Sequence, residues 1–426
     1  MDPVMIGVLA LVALLGLIAV RVPIAIALLA VSFLGIWTIA GLRPAMSMLS
    51  TIPYTTSASW TLSSIPMFLL MGFIAYHSGL TRGLFEAARV WWGWLPGGLA
   101  IASLAGASGF AAVSGSSVAC SAAIGRIAVP EMARQRYNLS IATGSVAAGG
   151  TIGALIPPSI ILILFGIQAE TSINELFLGG LVLGLASLAF YVVAVLVVWW
   201  RDPDSLPRAE PYTMGDRWRK TAEIWPVLAL IAAVFGGLFT GFLTATEAGA
   251  FGSFVAVLIG VLRRSLSWHD FRESLVDTLL SSGSLFIIAI GANLFTRLVA
   301  MSGLSMQIGR FVEGQALSTF ALLLVIVLIY LVLGMFLEPI GALLLTLPLF
   351  LPLVAQHGID KLWFGLLVAK LLEIGMITPP VGLNVFVIHS VARDYVRLEQ
   401  VFAGIVPFII ADLALVAAML ALRGFM

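Results

Sequence analysis

Apolar runs of about 20 residues, the length an α-helix needs to cross a bilayer, recur along the whole of this chain. They fall near 23–41, 60–80, 140–168, 175–200, 222–242, 245–262, 278–300, 361–390 and 398–422. The stretch from Met1 to Val22 is another. Asp2 stands where a secretory signal carries cations, and the first cation, Arg21, follows the apolar run, so the pattern is a retained signal-anchor with its start outside. Hydrophobic residues make up 61% and charged residues 10% of the chain, against about 25% charged in soluble domains. The expected fold class is therefore an all-α polytopic membrane protein whose solvent is the lipid bilayer. The 22 Lys and Arg balance 21 Asp and Glu at a net charge of +1, which leaves no electrostatic basis for a nucleic-acid partner. Cys120, the only cysteine, excludes an internal disulfide and a thiolate cluster, and its small apolar neighbours favour inert packing.

Two stretches, 97–130 and 318–353, break the pattern. Each is bounded by Pro or Gly and interrupted midway by a helix-poor motif, Ser114-Gly115-Ser116-Ser117 in the first and Glu338-Pro339-Ile340-Gly341 in the second. Both read as re-entrant hairpins, whose irregular backbone survives at membrane depth only where it is buried in protein or faces water. The alternative is an ordinary span with a kink.

With the N-terminus outside, the inner segments collect Arg21, Arg82, Arg89, Arg126, Arg134, Arg136, Arg201, Arg208, Arg217, Arg219, Lys220, Arg263, Arg264, Arg272, Arg393 and Arg397. The outer segments hold Arg43, Arg297, Arg310, Lys361 and Arg423. The first hairpin then opens to the cytoplasm and the second to the outside. That opposition is the mark of an inverted repeat, and a constant separation of 222 residues supports one: Pro130 meets Pro352, Ile152-Gly153 meets Ile374-Gly375, and Pro157-Pro158 meets Pro379-Pro380. The expected organisation is a first repeat at 1–200 (hairpin 97–130, broken helix 140–168) and a second at 222–426 (hairpin 318–353, broken helix 361–390). The hydrophilic segment 201–221 joins them as a cytoplasmic linker.

A proline lacks the amide that bonds the carbonyl four residues earlier. Pro157 and Pro158 thus free the carbonyls of Gly153 and Ala154, and Pro379 and Pro380 free those of Gly375 and Met376. Such carbonyls need a polar partner in the membrane, and a dehydrated Na⁺ held by carbonyl and hydroxyl oxygens supplies one. Broken helices at repeat-related positions point to a midplane site, with carbonyls for the ion and half-helix N-termini for an anion. The candidate sodium ligands are Ser114, Ser116, Gly150, Thr151, Gly153, Ala154, Glu338, Gly375, Met376 and Thr378. The candidate substrate contacts are Ser117, Arg126, Pro157, Pro379 and Asn384. The hydroxyls have a purely structural alternative, bonding the broken turns. Arg126, about 13 Å from the first tip at 1.5 Å per residue, either reaches a substrate carboxylate or snorkels to the interface. Lys370 and Glu373, three residues apart, are expected to neutralise each other. Asp412 and Glu247 are expected to lie outside the site.

Ser114-Gly115-Ser116-Ser117 with Ile127-Ala128-Val129-Pro130-Glu131-Met132, and Gly149-Gly150-Thr151-Ile152-Gly153 through Ile156-Pro157-Pro158-Ser159, resemble the large membrane (DctM-like) subunit of the tripartite ATP-independent periplasmic (TRAP) transporters. Thr246-Glu247-Ala248 and Ile374-Gly375-Met376-Ile377-Thr378-Pro379-Pro380-Val381-Gly382-Leu383-Asn384 resemble its second-half signatures, so the likeness covers essentially the whole chain. Ala245 departs from the proline usual before Thr-Glu-Ala, and a softened helix start is expected there. The resemblance implies an elevator carrier of the ion-transporter superfamily in a bacterial inner membrane. Na⁺ would be the coupling ion, with no organic cofactor. The partners would be a small four-helix membrane subunit, not fused here, a periplasmic substrate-binding protein and a small organic acid substrate. A stand-alone sodium-coupled carboxylate carrier is the alternative. An intramembrane enzyme is disfavoured, because His77, His269, His357 and His389 show no ligand spacing and Ser116 has no base nearby in sequence.

Overall fold

The computed structural model describes residues 2–207, 212–315 and 317–423, and the regular structure among them is entirely helical, without strands. Arg208, counted above among the inner cations, lies outside the described residues.

Two groups of helices pack side by side. The first begins with α1 (Pro3–Ala19), α2 (Ile24–Ala40), α3 (Leu42–Ser57) and α4 (Ser64–His77), and α5 (Leu84–Trp92) leads out of it. The chain then forms the first hairpin from α6 (Gly98–Ser114) and α7 (Ser117–Arg134). The first broken helix follows as α8 (Leu139–Thr151), a 3₁₀ turn at Ile152–Ala154 and α9 (Ile160–Ala169). The long α10 (Ile173–Arg201) ends this part. After α11 (Met214–Glu223), the helices α12 (Trp225–Phe239), α13 (Ala245–Leu262), α14 (Trp268–Ser302) and α15 (Leu304–Gly314) complete the first group. A second hairpin, α16 (Thr319–Phe336) and α17 (Pro339–Gln356), precedes the second broken helix, α18 (Lys361–Gly375) and α19 (Leu383–Ala392). The last helix is α20 (Leu398–Arg423). In the first group α14 lies along α2 and α4, and α13 packs on α4 and α12; in the second, α8 lies against α6, α7 and α20, and α18 against α16 and α17.

Six helices, α10, α13, α14, α16, α17 and α20, are long and apolar enough to cross a membrane, and a seventh span results if α11 and α12, bent by 60°, count as one. The chain is a multi-pass membrane protein. Two elements were not evident as apolar runs. The α3 and α5 helices are short and carry polar faces, so hydropathy does not reveal them. The linker is also more ordered than its composition suggests. Its α11 lies on α5, where Trp91 Nε1 donates to Thr221 Oγ1 at 2.8 Å and the Arg217 guanidinium sits 5.6 Å from the Trp91 ring.

The start of α13 is not softened. Thr244 and Glu247 form a reciprocal capping box, the hydroxyl accepting from the Glu247 amide and the carboxylate accepting from the Thr244 amide at 2.8 Å. Glu247 is therefore a cap. Cys120 is buried in α7 and its thiol donates to the Ala107 carbonyl at 3.3 Å.

Candidate functional site

Each hairpin tip is built differently. Gly115 turns the first at φ 62°, a conformation that favours glycine. Ser116 then caps α7, accepting from the Ala119 amide at 3.3 Å. The second tip is made by extended Leu337 and by Glu338 at the N-cap of α17, with Pro339 at the first helical position. Both proline pairs fall where the broken helices lose their ladder. Pro157 and Pro158 are buried, whereas Pro379 and Pro380 are exposed, and both Pro-Pro peptide bonds are cis.

The breaks press directly on the hairpins, and glycine permits it. A β-carbon on Gly153 would stand 3.1 Å from the Ser116 carbonyl oxygen and 3.2 Å from Ser117 Cα. In the second hairpin a β-carbon on Gly334 would stand 3.0 Å from Gly375 Cα. The first break thus meets the first tip, and the second break meets α16.

Several proposed ligands already have protein partners. The Ala154 carbonyl accepts from Ser159 Oγ at 2.5 Å, the Met376 carbonyl from the Asn384 amide at 3.0 Å, and the Gly375 carbonyl from the Thr378 amide at 3.2 Å. Thr378 Oγ1 donates to the Ile374 carbonyl at 2.6 Å and Thr151 Oγ1 to the Ala148 carbonyl at 2.7 Å. Since each carbonyl oxygen has two lone pairs, one acceptor position is filled and one is left. Ser114 Oγ, Ser121 Oγ, Glu373 Oε1 and both side-chain polar atoms of Asn384 are buried without a partner. Gly150 is buried against Ser121 and Ser117.

The expected Lys370–Glu373 pair does not form. Lys370 Nζ instead lies 2.6 Å from Asp412 Oδ1 and 3.0 Å from Ser187 Oγ. Asp412 Oδ2 accepts from Tyr191 at 2.7 Å, and the Tyr191 hydroxyl lies 2.9 Å from Thr151 Oγ1. Glu373 Oε2 accepts from Ser117 Oγ at 2.6 Å. Asp412, expected outside the site, is thus tied to the last turn before the first break. The pairing of neighbours along a helix holds on an exposed face, but in a packed interior a charge takes the partner that several helices bring to it. Tyr191 and Ser187 escaped the sequence reading because they are isolated polar residues in the long apolar run of α10, and Asp412 was placed outside the site because nothing in its own run points to Lys370.

A cavity of about 510 Å³ opens between the helix groups, with Ser114 and Ser116 of the first tip on one side and Asp277, Ser281 and Ser284 of α14 on the other. The 277, 281, 284 spacing is one helix face, a signal available in the sequence. Beyond the Tyr76–Phe110 ring pair, centroids 6.4 Å apart, lies a second cavity of about 410 Å³. Arg82, Arg126 and His77 line it, and Tyr76 and Phe110 border both cavities. The structure thus places Arg126 away from the tip. His77 bridges to Asp277 at 2.9 Å. His269, Asp270 and Glu273 gather nearby at the start of α14, where Asp270 caps the helix through Ser267.

Residues 11–425 match the family described as the DctM component of the tripartite ATP-independent periplasmic transporters. The chain belongs to this family. It is 37% identical over 349 residues to the C4-dicarboxylate TRAP transporter large permease protein DctM of Pseudomonas aeruginosa, covering 79% of each chain. It is 33% identical over 403 residues to the isethionate TRAP transporter permease protein DctMQ of Oleidesulfovibrio alaskensis, covering 93% of this chain and 62% of that one. With the sialic acid large permease protein SiaM of Vibrio cholerae it shares 29% over 401 residues, 93% of this chain and 92% of that one. In fold it is similar to the Alcanivorax borkumensis YdaH transporter, with a TM-score of 0.68, 15% identity, and 100% and 99% of the two chains covered. Its relatives are permeases, and the chain is a permease component rather than an enzyme.

Proposed function

We propose that this chain is the translocating subunit of a sodium-coupled carrier that imports small organic acids across a bacterial inner membrane, with its N-terminus periplasmic. It would act with a small membrane subunit and a periplasmic substrate-binding protein. One observation carries the reading: the polar tip of the first hairpin faces a cavity at the seam between two helix groups, opposite a polar stripe on α14, with an arginine-lined cavity behind it. An anion at the tip meets the N-terminus of α7 and can pass toward Arg126 and Arg82. The hairpins and broken helices, pressed together through Gly153 and Gly375, would form the moving body of an elevator. The helices α1–α4 and α12–α15 would form its support, and the two repeats would lie inverted in the bilayer. Relatives named for C4-dicarboxylate, isethionate and sialic acid all handle acids, which supports the substrate class.

Na⁺ fits the freed carbonyls of Gly153, Ala154, Gly375 and Met376 with the hydroxyls of Ser114, Ser116, Thr151 and Thr378 and the carboxylate of Glu338, because each group is an oxygen donor of the kind hard cations take. Uptake of a labelled acid into proteoliposomes, with and without a sodium gradient and the binding protein, tests the reading. A requirement for both supports it. Uptake on sodium alone identifies a stand-alone carrier, and uptake indifferent to sodium removes the coupling.

A further inference from the structure

We infer that Glu373, together with Ser117, holds a monovalent cation between the first hairpin and the second broken helix. The inference rests on the sodium coupling proposed above and extends it to a carboxylate outside the carbonyl and hydroxyl set.

The Glu373 side chain belongs to a residue 1% exposed, two positions before the second break. One carboxylate oxygen accepts from Ser117 Oγ at 2.6 Å, and the other is buried without a partner. Its nearest cation along the helix, Lys370, is committed to Asp412 and Ser187. A carboxylate in such a place needs a counter-charge, and the protein supplies none to its free oxygen.

Further buried oxygen donors without partners stand on α7 and α19. Ser121 stands one turn beyond Ser117 on α7, is fully buried, and has a hydroxyl without a partner. Asn384, fully buried on α19, has an unpartnered side-chain amide, and its backbone amide is fixed to the Met376 carbonyl at 3.0 Å. The α19 helix packs on both α7 and α8. One negative charge with hydroxyl and amide oxygens matches a singly charged hard cation, whereas a divalent ion would draw on several carboxylates. The ion would add a second link, beside the Ser117–Glu373 hydrogen bond, between the first hairpin and the second broken helix.

The test is thermal unfolding of the purified full-length chain in detergent as NaCl replaces choline chloride at constant ionic strength. Sodium should raise the unfolding temperature of the unaltered chain. Because a lost bond to a charged group is a large effect, Glu373→Gln and Ser117→Ala should raise the sodium concentration for half-effect by roughly tenfold or more. Glu373→Asp should restore part of the response. An unchanged response in Glu373→Gln overturns the inference, leaving Glu373 as a neutral acid bonded to Ser117, while sodium binding elsewhere stands. No sodium response in the unaltered chain overturns both readings. Should Glu373→Gln fail to fold, Ser117→Ala decides, since it keeps the carboxylate, and an unchanged response there also overturns the inference.

Discussion

Lys370 and Asp412 form an ion pair with Nζ and Oδ1 2.6 Å apart and neither side chain exposed. The two residues belong to α18 and α20, and the pair also touches α10 through Ser187 and Tyr191. A buried pair of this kind contributes little net stability relative to well-packed apolar residues, but removing one partner strands the other. Lys370→Met should therefore destabilise the protein by about 3–5 kcal/mol, and adding Asp412→Leu should recover most of the loss. Unfolding of both variants in detergent checks this. Equal destabilisation by the single and double variants would show that the pair acts through packing alone.

Tyr191 connects that pair to the first break. Tyr191→Phe removes the hydroxyl between Asp412 and Thr151, and a loss of about 1–3 kcal/mol is expected from a buried acceptor left without its donor. A double-mutant cycle with Thr151→Val gives the coupling. A coupling energy near zero would mean that the 2.9 Å approach of the two hydroxyls carries no energy.

Any β-carbon at Gly153 would press on the backbone of Ser116 and Ser117 at 3.1–3.2 Å, and a branched side chain there would press harder. Gly153→Val should displace the first tip and abolish sodium-dependent uptake. Gly16→Val serves as the control, because nothing stands within 4 Å of a β-carbon at Gly16. Uptake should survive there, and survival of sodium dependence in Gly153→Val would remove the first break from the ion site.

Arg126→Gln should raise the substrate KM by roughly tenfold, the loss of one charge-assisted bond. Arg126→Lys should recover only part, since an ammonium lacks the planar fork. Initial rates of uptake over a range of acid concentrations measure both. An unchanged KM in Arg126→Gln would assign the guanidinium to the membrane interface.

The hairpins and breaks were legible because proline and glycine act locally. The single prolines Pro53, Pro130, Pro348, Pro352 and Pro407 are carried inside helices, whereas the paired prolines at 157–158 and 379–380 fall at breaks, so the two interruptions could be placed from the Pro-Pro dipeptides. The partner of Lys370 was not legible in this way. Asp412 is 42 residues distant, and only the packing of α18 against α20 brings it within reach, while Glu373, on the same helix, is taken by Ser117 from 256 residues away. The N-terminus of α13 failed for the opposite reason. The Thr244–Glu247 box is readable from two residues, and it holds the helix start without the proline that Ala245 replaces.

The burial of Cys120 has a practical consequence. The lone thiol has no solvent exposure and is bonded to the Ala107 carbonyl, so maleimide reagents meet no reactive sulfur on the folded protein. Cysteines placed at exposed positions on each group, such as Trp60 before α4 and Leu328 in α16, become the only labelled points. Distances between spin or fluorescent probes on the two helix groups can then be followed in a background that needs no prior substitution.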